Sequence, residues 1–364
     1  MNYISERIKQ ILGVIDGRIV VSEEKIEGFR CCESGYKAGN TPPDDSEFID
    51  MPSDFSVQDR QEHHFWVKAE VTLPKACIGK HIELVNRSDN THGWSSQDPQ
   101  IIAYIDGKMA GAFDHRHKAI LIDSKKEHFS LVLYLYLAPV SNLYSFAYSL
   151  CEIDENARAL YYDIKVPYDV MSYLDPNTRH YCDIRNTLNE AINLLDLRNR
   201  GEDWVRSAER ARAYLKSEFY EKKCRKGDVF CTCIGHTHID VAWLWTFAQT
   251  KEKAQRSFST FIELMKQYPE FKFMSSQPQL YQFVKEEAPE LYEEIKKAVR
   301  EGRWEPEGAM WVEADCNLPS GESLIRQILY GKRFFREEFG ADCKVLWLPD
   351  VFGYSAALPQ IMKK

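Results

Sequence analysis

Ile4, Ile8, Ile11, Leu12 and Ile15 recur at helical spacing, so the first twenty residues predict an amphipathic helix with one buried stripe. From Phe65 the period becomes two: Phe65, Val67, Ala69, Val71 and Leu73 alternate with other positions. Apolar segments at 101–105, 131–137, 143–150 and 160–166 read as further strands, and Asp106-Gly107 between two runs is a hairpin signal. Many short strands joined by polar turns predict a β-sandwich over residues 25–170. A helical spacer over 171–225 follows. Ile184, Leu188, Ile192 and Leu195 form one of its stripes, Val205, Ala208, Leu215 and Phe219 the other, with a break near Gly201.

From residue 226 onward strands and helices alternate. Strands are predicted at 229–234, 271–275, 308–312 and 345–348. Between them lie a long helix over 241–268, a helical region over 279–300 and a helix opened by Ser320. Such alternation predicts a parallel sheet or barrel, with its working residues at the carboxyl ends of the strands.

At roughly 100–200 residues per domain, 364 residues make two or three domains. A net charge of −8 speaks against a binder of nucleic-acid backbone, which needs a clustered basic surface. No apolar run reaches the roughly 18 residues of a spanning helix, and the first twenty residues do not read as a secretory leader, so no membrane partner is expected. Ten cysteines without a CxxC pair predict reduced, mostly buried thiols and a cytoplasmic protein.

The strongest chemistry is Gly235-His236-Thr237-His238-Ile239-Asp240, directly after the first predicted strand of the α/β region. Positions two apart on an extended strand share a face, so His238 and Asp240 can converge on one cation. Imidazole plus carboxylate is a donor set that suits zinc or a related divalent metal. Read blandly, the same string is a half-buried histidine and a helix-capping aspartate. Asp350, just past the fourth predicted strand in Leu348-Pro349-Asp350-Val351-Phe352-Gly353, reaches the same space if the strands belong to one sheet; alone it reads as a turn aspartate.

These strings carry a resemblance. HTHIDVAWLW, GAMWVEADCNLPSGESLIRQ and WLPDVFGYSAALPQI, in that order and spacing over 229–361, look like the α-mannosidases of glycoside hydrolase family 38, in their cytosolic or bacterial branch. The resemblance extends more weakly to the β-region and the spacer. It implies that 226–364 is the first part of a (β/α)7-type barrel, making the whole chain multidomain after a lead-in over 1–24. It also implies a Zn2+ or Co2+ ion held by His238, Asp240 and Asp350. Asp350 would be the nucleophile of a retaining mechanism on terminal α-linked mannose of oligosaccharides, and the metal would hold the sugar hydroxyls. Trp243 would stack on the sugar and Phe352 line its wall, while His236 would not be a ligand.

The family's acid/base aspartate and a further histidine ligand come from later strands, and after Asp350 this sequence has neither a histidine nor a carboxylate side chain. The chain is therefore expected to be an N-terminal fragment, inactive alone and weak in metal binding. Two rival readings stay open: a metal-dependent carbohydrate deacetylase or other hydrolase on a similar barrel, and a non-catalytic carbohydrate-binding or assembly module. A homo-oligomer is also left open.

Three further features carry titratable side chains. Asp114-His115-Arg116-His117 is a polar turn beside a strand. Cys231 and Cys233 are core thiols. Glu305, Glu307, Glu313 and Asp315 flank the third predicted strand; one or two of them meeting sugar hydroxyls and all of them being surface or capping acids are equally open readings, and none is assigned to the site.

Overall fold

The computed structural model describes residues 3–34, 41–90, 99–224, 227 and 231–364. Helix α1 (Tyr3–Ile19) buries Ile8, Leu12 and Ile15, the stripe its spacing predicts. Twelve strands follow: β1 (Val20–Lys25), β2 (Arg30–Glu33), β3 (Ile49–Asp50), β4 (His63–Thr72), β5 (Ile82–Asn86), β6 (Asp89–Asn90), β7 (Gln100–Ile105), β8 (Lys108–Phe113), β9 (Ala119–Ile122), β10 (His128–Leu137), β11 (Leu143–Ser145) and β12 (Tyr148–Ile153). They form antiparallel sheets, β1-β12-β5-β9 and β3-β2-β4-β10-β7-β8, with a small β11-β6 ribbon. Inward residues of both large sheets, among them Ile82, Leu84 and Ile122 on one and Val67, Leu131 and Leu133 on the other, share a single core. The β7–β8 hairpin turns on Asp106 and Gly107, both at positive φ, as a two-residue turn matched to strand twist requires.

The segment 160–166 is not a strand. It lies inside helix α2 (Glu155–Ser172), opened by Asp154, whose side chain accepts a hydrogen bond from the Ala157 N–H. Over seven residues Leu160, Tyr162, Ile164 and Val166 mimic alternation. Over the whole helix the buried set Ala157, Leu160, Ile164 and Met171 has helical period, and Tyr162 and Val166 point outward. Helices α3 (Arg179–Asn193) and α4 (Glu202–Leu215) complete a four-helix core with α1 and α2. Within α4 the inner stripe is Trp204, Ala208, Ala211 and Leu215; Val205, assigned inward from the sequence, is exposed.

The remaining elements are β13 (Gly235–His236), α5 (Phe247–Gln267), β14 (Phe273–Ser275), α6 (Pro278–Glu287), α7 (Pro289–Arg300), β15 (Trp304–Pro306), α8 (Gly321–Phe339) and α9 (Leu358–Lys363). Strands β13, β14 and β15 pair in parallel and in chain order, and parallel bridges Gly308–Leu346 and Cys316–Tyr354 continue the sequence. Residues 229 and 230 of the predicted strand at 229–234 lie outside the described residues. Residues 231–234 are irregular and exposed, so Cys231 and Cys233 face solvent rather than a core. Pairing begins at Gly235, where the Phe271 ring crosses so closely that an added Cβ would stand 2.6 Å from its Cζ.

The third strand sits at 304–306 rather than 308–312, because Trp304 anchors it among Phe258, Phe273 and Tyr281. Of the predicted fourth strand only Leu346 pairs, with Gly308. Helix α5 starts at a capping box of Thr246 and Gln249, leaving 241–245 as a loop, and Pro289 divides the predicted 279–300 helix in two. Helix α8 runs as predicted from the Ser320 cap to Gly340 at positive φ. It lies so close to the loop after β15 that a Cβ on Gly331 would collide with Ala309 O.

The two regions touch. Helix α5 packs on β8, Met109 reaches into the core around Phe258, and the Tyr134 hydroxyl on β10 donates to Glu252 Oε1 on α5 at 2.9 Å.

Candidate metal centre

Parallel strands deliver their carboxyl ends to one side of a sheet, and here that side collects the residues singled out from the sequence. His238 and Asp240 follow β13 directly, and Asp350 follows the Leu346 bridge. One donor atom from each of the three lies within 4.8 Å of the others. His238 Nε2 stands 3.2 Å from Asp240 Oδ1 and 3.6 Å from Asp350 Oδ2. The His238 side chain is mostly buried, whereas that of Asp350 is half exposed and open to an incoming molecule.

The opposite ring nitrogen of His238 is held by Glu313. Its Nδ1 contacts Glu313 Oε2, and Ser276 Oγ donates to Glu313 Oε1. The Glu313 backbone N–H donates to Gln277 Oε1 at 3.1 Å, and Gln277 Nε2 donates to Ile239 O at 2.9 Å. Gln277 thus ties the loop bearing Glu313 to the loop bearing His238. The Glu313 carboxylate side chain is only 3% exposed, so its charge acts on the imidazole with little solvent screening. That bond, helped by Asp240 and opposed by burial, pushes the His238 pKa up to about 9.

The sequence pattern alone does not assign Glu313 to the site, and its contact with His238 Nδ1 corrects that expectation. Its signal was the one used for Asp350: a carboxylate just past the end of a predicted strand. The other three acids of that set stay outside the cluster. Asp315 accepts the backbone N–H groups of Asn317 and Leu318, Glu307 accepts those of Gly308, Lys344 and Val345, and Glu305 is exposed on β15.

His236 stands apart from the cluster. Its Nδ1–H donates to Met274 O at 3.0 Å and its Nε2 accepts from Trp347 Nε1–H at 3.1 Å, so both ring nitrogens are engaged. Trp243 and Phe352 are exposed side chains beside the cluster in sequence. Trp243 packs edge-on against Trp245, whose indole N–H donates to Asp240 O and Thr250 Oγ1. The Asp240 loop is therefore anchored from α5 as well as from β13.

The donor set fits a divalent cation. Two carboxylates face a single imidazole nitrogen, and Glu313 occupies the other nitrogen, fixing the ring so that Nε2 is the one presented.

Residues 228–364 match the family model described as "Glycosyl hydrolases family 38 N-terminal domain". Alpha-mannosidase G of Dictyostelium discoideum is 35% identical over 322 residues, 82% of this chain and 28% of that protein. Alpha-mannosidase 2C1 of Homo sapiens is 32% identical over 319 residues, again 82% of this chain and 29% of its own length. An alpha-mannosidase of Saccharomyces cerevisiae is 36% identical over 221 residues, 58% of this chain and 20% of its own. The first two matches are longer than the family segment and so extend into the sheets and helices before it. The chain spans less than a third of the length of these relatives.

Proposed function

This chain belongs to glycosyl hydrolase family 38, and we propose that it supplies the nucleophile and three metal ligands of a retaining α-mannosidase. The observation that carries the reading is the convergence of His238 Nε2, Asp240 and Asp350 at the ends of successive parallel strands. The N-terminal sheets, β1 to β12, are read as a β-sandwich, with α2 shifting its end from the expected 170 back to Ile153; α2, α3 and α4 are read as the spacer and 226–364 as the first part of a (β/α)7-type barrel. The substrates are oligosaccharides ending in α-linked mannose.

His238, Asp240 and Asp350 would hold the ion, zinc or cobalt, which when bound supplies Lewis acidity toward sugar hydroxyls. Glu313 holds His238 Nδ1 and so presents Nε2. Asp350, half exposed, attacks the anomeric carbon as the bond to the leaving oxygen breaks, giving a glycosyl ester that water then cleaves. Trp243 offers a flat apolar face for the C–H side of the sugar, and Phe352 lines the opposite wall. An acid/base carboxyl is not assigned among the described residues. Ten free cysteines, six of them buried, suit a reducing compartment and support the reading of a cytoplasmic protein.

The deciding experiment follows an aryl α-mannoside with the full-length protein by proton NMR. Retention at the anomeric carbon is expected, together with loss of turnover on chelation and its return with zinc or cobalt. Asp350→Asn should lower kcat by about 10³-fold or more and abolish trapping of a glycosyl-enzyme. Inversion, or a covalent adduct on another residue, overturns the assignment of Asp350.

A further inference from the structure

Helix α2 turns an apolar stripe outward. Tyr162, Val166, Val170 and Tyr173 are 56, 55, 50 and 90% exposed, while Ala157, Leu160, Ile164 and Met171 fill the helical core from the opposite side. At 3.6 residues per turn the four outward residues fall within about 80° of arc. A surface helix normally carries charge on that face. Here the flanking charges are Lys165 and Asp169, ion-paired along one edge of the stripe, and Asp163, paired with Arg212 of α4, along the other.

We propose that this stripe is an interface between two copies of the chain, with their α2 helices packed antiparallel about a two-fold axis near Pro167. The pattern is self-complementary under that operation. Val166 of one copy meets Val170 of the other, and Tyr162 meets Tyr173, so apolar groups face apolar groups in both halves. The same operation sets Lys165 of each copy beside Asp169 of the other, replacing two intrahelical pairs by two between copies.

The four side chains expose on the order of 400–500 Å² per copy, so pairing would bury on the order of 1,000 Å², the lower bound for a specific interface. That area fits a reversible dimer rather than a permanent one. No residue of the metal centre lies on α2, so the pairing is independent of the catalytic reading.

Sedimentation velocity of the full-length protein from about 1 to about 200 µM tests it. A concentration-dependent dimer is expected. Val166→Glu combined with Val170→Glu should weaken it at least about tenfold while circular dichroism stays unchanged. Lys165→Glu should weaken it as well, and adding Asp169→Lys should restore it, since the charges are exchanged symmetrically. A monomer throughout the range, including one in which another part of the polypeptide covers the stripe, overturns the proposal. So does a dimer indifferent to the valine substitutions. Failure of the charge exchange to restore binding overturns the antiparallel register.

Discussion

Two His-x-His strings in this chain, His115-Arg116-His117 and His236-Thr237-His238, meet opposite surroundings. His117 finds its partner three residues away. Its Nδ1 lies 3.1–3.2 Å from the carboxylate of Asp114, whose Oδ1 also accepts the backbone N–H groups of Arg116 and His117. His238 instead meets Glu313 and Asp350, both far along the chain, in addition to its neighbour Asp240. The string does not distinguish the two; the sheet type around each does. An antiparallel turn surrounds a residue with its own sequence neighbours. The ends of successive parallel strands surround it with residues separated by whole helices.

The sharpest way to break this contrast is through the residue that holds His238 from behind. Removing an outer partner of a metal-bound histidine typically costs about 10–100-fold in affinity. Glu313→Ala should therefore weaken zinc binding by about that factor in chelator competition on the full-length protein. Glu313→Gln should weaken it less, because its amide oxygen still accepts from Nδ1–H and only the charge is lost. Asp114→Ala, the matching change in the β-region, should leave zinc affinity unchanged. Equal effects of Glu313→Ala and Asp114→Ala would erase the distinction between the two strings.

Much of the candidate cluster is legible in the sequence, because His238, Asp240 and Asp350 each stand within a few residues of a strand-like run and a strand end is a local signal. Glu313 carries the same local signal, but its role depends on Ser276 and Gln277, which no spacing rule connects to it. Helix α2 was misread because a window of seven residues cannot separate period two from period 3.6 when apolar residues are dense. The described part of the first predicted α/β strand, 231–234, is irregular and exposed, and β13 beside it is the edge strand of its sheet among the described residues. The seam between the two regions left no sequence signal, because the Tyr134–Glu252 bond joins positions unrelated by any motif.

That seam gives the second test. Glu252 is buried at the joint, and burial, only partly offset by the Tyr134 bond, pushes its pKa up to about 7. A carboxyl raised in the folded state favours folding while protonated, so its contribution is present at acid pH and is lost as pH rises from about 4.5 through about 7. Burial lowers the neighbouring Lys253 to about 7, so its contribution is present at alkaline pH and is lost as pH falls toward 7. Glu252→Gln keeps an acceptor for Tyr134 and removes the titration. Relative to wild type it should gain on the order of 2–3 kcal/mol between pH 5 and pH 8 in urea unfolding. A parallel pair of pH profiles would show that Glu252 is not desolvated by the β-region.

The smallest effect comes from the β-region string itself. The bond to Asp114, against the opposing effect of burial, raises His117 above the usual histidine value near 6.5, and its hydrogen bonds hold Asp114 below the usual carboxylate range. The histidine contribution is thus present below about pH 6.5 and is lost as pH rises through the folded value; the aspartate contribution is lost only in stronger acid. Because the His117 side chain is half exposed, screening limits the pair to about 0.5 kcal/mol, or about 1–2 °C in Tm. His117→Gln should therefore lower Tm slightly at pH 5.5 and not at pH 9, with or without added zinc. His238→Gln should behave in the reverse way: its Tm deficit should grow with added zinc, because wild type gains stability from a ligand that the variant holds poorly. If zinc changes the His117→Gln deficit as well, the β-region turn is a second metal site, and sheet type alone does not separate the two strings.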